Sequence, residues 1–206
     1  MRNNYNKIAG KDVGRIIAIS DAVFGVAMTL LVLEIKVPEI EGGNKELAVA
    51  VWDLMPKFLV YFLSFMTAGI FWMGQATQFE YIKKSDRNLN WINLLFLLFV
   101  SLLPFTTAFL GDHMEHEFAI GVYWLNIFLL GIMLFINWSY ASKHNFIADE
   151  KLDVVSGGIK RRIITAQLLY LTGALLCFAN PYLGIGFIIV IQLNYAFAFI
   201  SRGKSD

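Results

Sequence analysis

The sequence predicts an all-α membrane protein with six transmembrane helices, and three observations carry that expectation. Hydrophobic residues make up 57% of the 206 residues and charged residues 16%, a balance unlike that of a soluble domain. The apolar residues gather in uninterrupted runs, each close to the ~20 residues that cross ~30 Å of hydrocarbon as helix. These runs neither alternate at period two, as barrel strands do, nor carry the polar face of a soluble helix.

The spans fall at about 13–35, 58–78, 91–111, 118–141, 162–180 and 182–201, and residues 1–206 read as one membrane domain. The first span carries eleven Leu, Ile, Val or Phe residues from Val13 to Leu33. At about 0.3–0.6 kcal/mol each they offset the roughly 2.5–3.5 kcal/mol cost of placing Asp21 in the membrane. The run is longer than the apolar region of a signal peptide and lacks a small-residue cleavage site, so it is expected to stay as a span. An intramembrane carboxylate of this kind marks a functional segment by default.

Between Pro38 and Pro56, Gly42-Gly43-Asn44 signals a turn and Leu47–Trp52 a short interfacial helix entering the second span. Trp72 lies well inside that second span, suited to packing against the first. Residues 149–158 are expected to form a polar loop. Gly157-Gly158 before Lys160-Arg161-Arg162 fits either a phosphate nest at a helix start or, preferably, cytoplasmic anchors touching lipid head groups. Asn180-Pro181 joins the last two spans tightly, with the proline opening the next helix. Trp52, Trp91 and Trp138 fall near span ends, where indole rings favour the interface. Asn126, Asn137, Gln167, Gln192 and Asn194 are expected to hydrogen-bond between helices.

Lysine and arginine positions orient the chain. Arg2, Lys7, Lys11, Arg15, Lys83, Lys84, Arg87, Lys143, Lys151, Lys160, Arg161, Arg162, Arg202 and Lys204 fall on one side, against Lys36, Lys45 and Lys57 on the other. The positive-inside rule then places both termini in the cytoplasm, as an even number of spans requires. The outer loops are acidic (Glu39, Glu41, Glu46, Asp53, Asp112, Glu115, Glu117). That either raises local cation concentration modestly or simply reflects the bases being kept inside.

Other classes of function find little support. The basic residues are dispersed through juxtamembrane loops, which speaks against nucleic acid. Cys177 is the one cysteine, so neither a disulfide nor a thiolate metal site is available. Asp112-His113-Met114-Glu115-His116-Glu117 holds ligand-type residues but no matching second cluster, so no metal is expected. No nucleophile, base and orienter can be assembled, so no enzyme and no cofactor are expected.

The first span divides into faces. With Val26 at zero and 100° per residue, Arg15, Ile19, Ala22, Leu30 and Leu33 fall within about 40° of it and Thr29 at about −60°. Ser20 and Asp21 fall at about +120° and −140°, away from that apolar stripe. The stripe either faces lipid, or lies on an axis shared with copies of itself. In the second case Val26, Leu30 and Leu33 stack as apolar rings that gate by dewetting and sieve by size.

Arg15-x-x-x-Ile19-Ser20-Asp21-Ala22-Val23-Phe24, running on through Thr29-Leu30-Leu31-Val32-Leu33-Glu34-Ile35, resembles the Arg-x-x-x-Phe-Ser-Asp signature of the transmembrane protein 175 family of potassium channels. Ile70-Phe71-Trp72 and the stretch from Asn93 to Phe105 are similar to its bacterial branch. The resemblance covers the first three spans well and the last three by count and length. It implies a homotetramer in the cell membrane, the bacterial inner membrane for this branch. Potassium would permeate passively along an axis lined by the first helix of every subunit. Val26, Leu30 and Leu33 would form the constriction rings, Thr29 would offer hydroxyls to the ion, and Arg15, Ser20 and Asp21 would brace the pore helices with Trp72 and Asn93 as partners. Two departures stand out: Ile19 replaces the signature phenylalanine, and Gln75-Ala76 stands where relatives usually carry a histidine pair. The runner-up readings are a secondary transporter, for which paired broken helices and an internal repeat are missing, and a proton-permeable cation pathway.

Overall fold

A computed structural model describes residues 10–147 and 152–197. Every regular element among them is a helix: α1 (Val13–Leu30), α2 (Asn44–Asp53), α3 (Met55–Tyr81), α4 (Arg87–Ser101), α5 (Leu103–Asp112), α6 (Glu117–Lys143), α7 (Leu152–Ala179) and α8 (Pro181–Phe197). A 3₁₀ turn, Leu31–Glu34, continues α1. Five segments are long and apolar enough to cross a membrane: Val13–Glu34, Met55–Tyr81, Arg87–Asp112, Glu117–Lys143 and Val155–Ala179. The apolar stretch of α8, Pro181–Tyr195, is shorter. The protein is therefore a multi-pass, all-helical membrane protein.

Local chemistry sets the helix boundaries. Asp12 caps α1 by accepting from the Gly14 N–H at 2.9 Å, and Asp86 caps α4 by accepting from the Leu89 N–H at 2.8 Å. Each carboxylate satisfies an orphan donor and complements the positive helix end. Prolines sit in the first turn of α3, α5 and α8, where their missing N–H costs nothing. The short helix expected at Leu47–Trp52 is α2, which buries none of its residues. Its start is fixed by Glu46, whose Oε2 accepts from the Gly43 N–H at 2.9 Å.

Two sequence expectations need correction, and a third gains a detail. The third span, expected at 91–111, is present as Arg87–Asp112 and is built of two helices, α4 and α5, broken at Leu102. Pro104 removes a backbone donor and its ring crowds the carbonyl of Val100, four residues earlier. The polar loop expected over 149–158 is helical from Leu152, with 148–151 outside the described residues, so Gly157-Gly158 lies inside α7 and forms no phosphate nest. Val155 and Ile159 pack on the core around Trp138, and this tertiary contact outweighs the helix-weakening glycines. Trp138 is no interfacial ring: it is fully buried, with Nε1 donating to Ser156 Oγ at 3.0 Å. Trp52 and Trp91 are exposed, as a membrane-interface residue would be. Residues 198–201 of the last expected span lie outside the described residues.

α1 packs on α3 and α4; α6 binds α4 and α5 on one side and α7 on the other; α8 closes against α7 and α3. Polar side chains stitch these contacts. Asn137 Nδ2 donates to Gln78 Oε1 at 2.9 Å and Gln78 Nε2 to the Leu134 carbonyl at 2.9 Å. Gln192 Nε2 reaches Thr67 Oγ1 at 2.7 Å and the Leu63 carbonyl at 3.1 Å, and Asn126 Nδ2 reaches Thr106 Oγ1 at 3.3 Å. At one end of the bundle, Ser85 Oγ and Asn90 Nδ2 both donate to the Gly10 carbonyl, and Ile82 bridges Ile147. The segment before α1, the α3–α4 turn and the residues after α6 therefore meet at that end. Gly10 takes φ 79°, a conformation that favours glycine, and a Cβ there would strike Asn90 Nδ2.

Candidate functional site on the first helix

The buried arc of α1 consists of Ile16, Ser20, Phe24 and Ala27, continued by Leu31 in the 3₁₀ turn. These residues recur every three or four positions and meet α3, α4 and α5. Phe24 tilts against Phe96 with ring centroids 5.8 Å apart. Val23 and Met28 are half-buried beside this arc, and the opposite side of the helix is left open by the chain. Val26 is 58% exposed, Leu30 42% and Leu33 69%, with Thr29 exposed beside them. The four positions assigned to a pore therefore form one continuous exposed face.

Below Leu30 the helix tightens from α to 3₁₀. At three residues per turn, i and i+3 eclipse, so Leu33 comes directly beneath Leu30 instead of drifting about 60° away as an α-helix would carry it. Thr29 Oγ1 lies 3.0 Å from the Gly25 carbonyl and 2.9 Å from that of Val26. The hydroxyl proton is thus spent on the helix, while the oxygen lone pairs remain free on the exposed face.

Two polar contacts fix the roll of α1. Asp21 Oδ1 accepts from Trp72 Nε1 of α3 at 2.8 Å, both residues being exposed in the single chain. Ser20, Gln75 and Asn93 form a separate, buried triangle. Gln75 Nε2 donates to Asn93 Oδ1 at 2.6 Å and to Ser20 Oγ at 3.0 Å, and Asn93 Nδ2 reaches the same Oγ at 3.2 Å. The Ser20 hydroxyl itself donates to the Ile16 carbonyl at 2.7 Å. One residue from each of α1, α3 and α4 is thereby joined without any charge.

The structure thus brings Ser20 to Asn93 and Asp21 to Trp72, and it separates the neighbours Ser20 and Asp21. Ser20 turns into the protein; Asp21 sits at the flank of the open face. Arg15 joins neither group. It is exposed and lines a cavity of about 540 Å³ with Lys11, Asp12, Asn90 and Asn93, between the start of α1 and α4. Gln75, noted in the sequence only as a departure from the usual histidine pair, is a member of this network. Its position three residues after Trp72 places it on the neighbouring part of the same helix face. Among the described residues no group of three or more His, Cys, Asp or Glu side chains could hold a metal ion.

These features define a multi-pass helical membrane protein with a polar-braced first helix that presents an unpartnered apolar face. Residues 15–104 match the family model described as "Endosomal/lysosomal potassium channel TMEM175". The chain is 30% identical over 191 residues to a potassium channel of Streptomyces collinus, covering 89% of this chain and 91% of that protein. It is 31% identical to a potassium channel of Chamaesiphon minutus, covering 90% and 94%. The crystal structure of a lysosomal potassium-selective channel TMEM175 homologue from Chamaesiphon minutus matches with a TM-score of 0.76 at 28% identity, over 90% of this chain and 97% of that one. The human endosomal/lysosomal proton channel TMEM175 is 31% identical over 202 residues, and this chain spans 40% of its length. The chain belongs to the TMEM175 family, a family of ion channels and not an enzyme class.

Proposed function

We propose that the chain is a single six-span channel domain, with α8 as its last crossing, that assembles as a homotetramer and conducts potassium passively. The axial pore would be lined by α1 of each subunit. Val26, Leu30 and Leu33 would form hydrophobic constriction rings, with Thr29 offering oxygen lone pairs to a partly dehydrated cation. The observation that carries this reading is the open face of α1. An apolar stripe left uncovered by its own chain is flanked on both sides by bonds that fix its direction, in a chain that covers 91% and 94% of two relatives named potassium channels. Ser20, Asp21, Trp72 and Asn93 would act by holding α1 at its roll angle rather than by meeting the ion. Arg15, standing apart from them on the open side, would act between subunits or at the inner mouth. The lysine and arginine distribution supports a cell-membrane topology with both termini cytoplasmic, in a bacterial inner membrane, since Gly10, the α3–α4 turn and the end of α6 meet at one end of the bundle.

The test is ion flux from liposomes holding the purified protein. A potassium gradient should drive flux without a coupled ion. Leu30→Asn should ease wetting of the constriction and raise sodium flux relative to potassium several-fold. An unchanged sodium-to-potassium ratio in Leu30→Asn, with selectivity altered by substitutions on another helix, would remove α1 from the pore. A proton-permeable pathway is the second reading, favoured by the mammalian relatives named proton channels. A pH-sensitive dye inside the same liposomes distinguishes the two.

A further inference from the structure

The basic run Lys160-Arg161-Arg162 and the glycines before it take no part in the α1 site. Two of these residues, Gly158 and Arg162, line a slot between α3, α6, α7 and α8. It measures about 400 Å³, in the range of ligand pockets. Its walls are mainly apolar: Ile70, Phe71 and Gly74 of α3, Leu134 of α6, and Ile159 and Ile163 of α7. The slot runs lengthwise. From Tyr81 up to Ile70, and from Val155 up to Tyr170, its walls extend about 16–22 Å at 1.5 Å per residue. That depth is enough for one leaflet of a ~30 Å hydrocarbon core. Its mouth is at the basic end of the bundle, where Arg162 lies over the Tyr195 ring, 5.6 Å from the centroid. Among the described residues no carboxylate comes within ion-pair distance of Arg162, the recorded ion pair being Lys57–Asp112 at the other end. Gly158 has open space where a side chain would project, and that openness keeps the entrance wide.

An apolar trough deep enough for one leaflet, with a guanidinium in its wall that makes no ion pair among the described residues, matches one ligand chemistry. We propose that this slot holds an acyl chain of an anionic phospholipid from the cytoplasmic leaflet, its phosphate paired with Arg162. The acyl chain fills space that water would occupy poorly, and the planar guanidinium matches a phosphate through two parallel hydrogen bonds. Lys160 does not line the slot, and the Phe135 ring under its ammonium, 5.9 Å to the centroid, does not line it either. The site is independent of the α1 pore, so lipid binding and ion conduction can fail separately.

Native mass spectrometry of the purified assembly tests this, with dioleoylphosphatidylglycerol and dioleoylphosphatidylcholine offered at equal concentration. The wild type should retain the anionic lipid preferentially. Arg162→Gln should weaken its binding about five- to tenfold. Gly158→Leu, which fills the entrance from a helical position with free space, should lower it at least as much, and Ala166→Phe should do the same deeper in the slot. Arg161→Gln should leave it unchanged. Circular dichroism and the mass of the assembly identify any variant that fails to fold, and a folded slot-filling variant decides the case. Equal binding of the two lipids overturns the proposal. So does wild-type binding in the folded slot-filling variants, which would show head-group adsorption without an acyl site. Equal losses in Arg161→Gln and Arg162→Gln would also overturn it, by showing diffuse charge.

Discussion

Gln75 does with a neutral amide what a bundle interior makes difficult: it donates to Ser20 and Asn93 while all three residues are buried. Removing one member leaves acceptors behind that water cannot reach. An orphaned buried group costs about 1–3 kcal/mol in proteins generally, and interhelical bonds in membranes average nearer ~0.6 kcal/mol. Gln75→Leu should therefore destabilise by about 1 kcal/mol, seen as a lower thermal midpoint in detergent. Replacing all three polar groups removes the orphans too. The Ser20→Ala, Gln75→Leu, Asn93→Leu triple variant should recover stability relative to the sum of its single substitutions. Strict additivity would show that the triangle is not a coupled unit. Asp21 follows a different logic. Its charge is tolerated because an indole N–H meets it at the edge of the bundle, and that bond ties α1 to α3 beside the face proposed to line the pore.

At the scale of elements, α7 and α8 approach more closely than any side chain permits. A Cβ on Gly184 would lie 2.6 Å from the Gly173 carbonyl oxygen and 2.7 Å from the Cys177 nitrogen, and one on Gly173 would strike Ile188. Two glycines thus let two backbones meet, the small-residue contact by which helices associate where lipid offers no hydrophobic drive. Gly184→Ala should cost about 1–3 kcal/mol of overpacking, whereas Gly186→Ala, with nothing within 4 Å of its Cβ, should be neutral. Comparable thermal midpoints for the two variants would refute this contact. The sequence carried the helices themselves plainly, because continuous apolar length is a one-dimensional property. It carried the breaks less well. Pro104 sits in a run so apolar that hydrophobicity alone reads straight through it, and α7 begins earlier than its polar residues suggest because Val155 and Ile159 find Trp138. Trp138 itself shows the limit: a ring near a span end is placed at the interface by its sequence position and in the core by its neighbours.

For the whole molecule, the candidate site was legible in the helix period as a face, while the partners Trp72 and Asn93 came from the family resemblance and not from spacing. Helical angles alone separated the Val26, Leu30 and Leu33 stripe from Ser20, and the structure leaves that stripe open. Which residues brace it depends on which helix lies alongside, and no spacing within α1 alone can supply Gln75 or say which of Ser20 and Asp21 turns into the protein. The proposed topology has a consequence that tests crossing number and stoichiometry together. Six crossings bring both ends of the chain to one membrane face, so the C-terminus of one copy can be joined to the N-terminus of the next with no added span. A linker of about 20 Gly/Ser residues has a root-mean-square reach of about 25 Å. Such a tandem should assemble as two chains holding four copies and should conduct potassium like the single-copy protein. Placing Leu30→Asn in one copy of each tandem should give a sodium-to-potassium flux ratio between those of the wild type and the fully substituted assembly, because two of four side chains in the ring would change. An odd number of crossings would force every second copy into the membrane upside down. A tandem that inserts but carries no flux, while single copies conduct, would overturn the six-crossing arrangement.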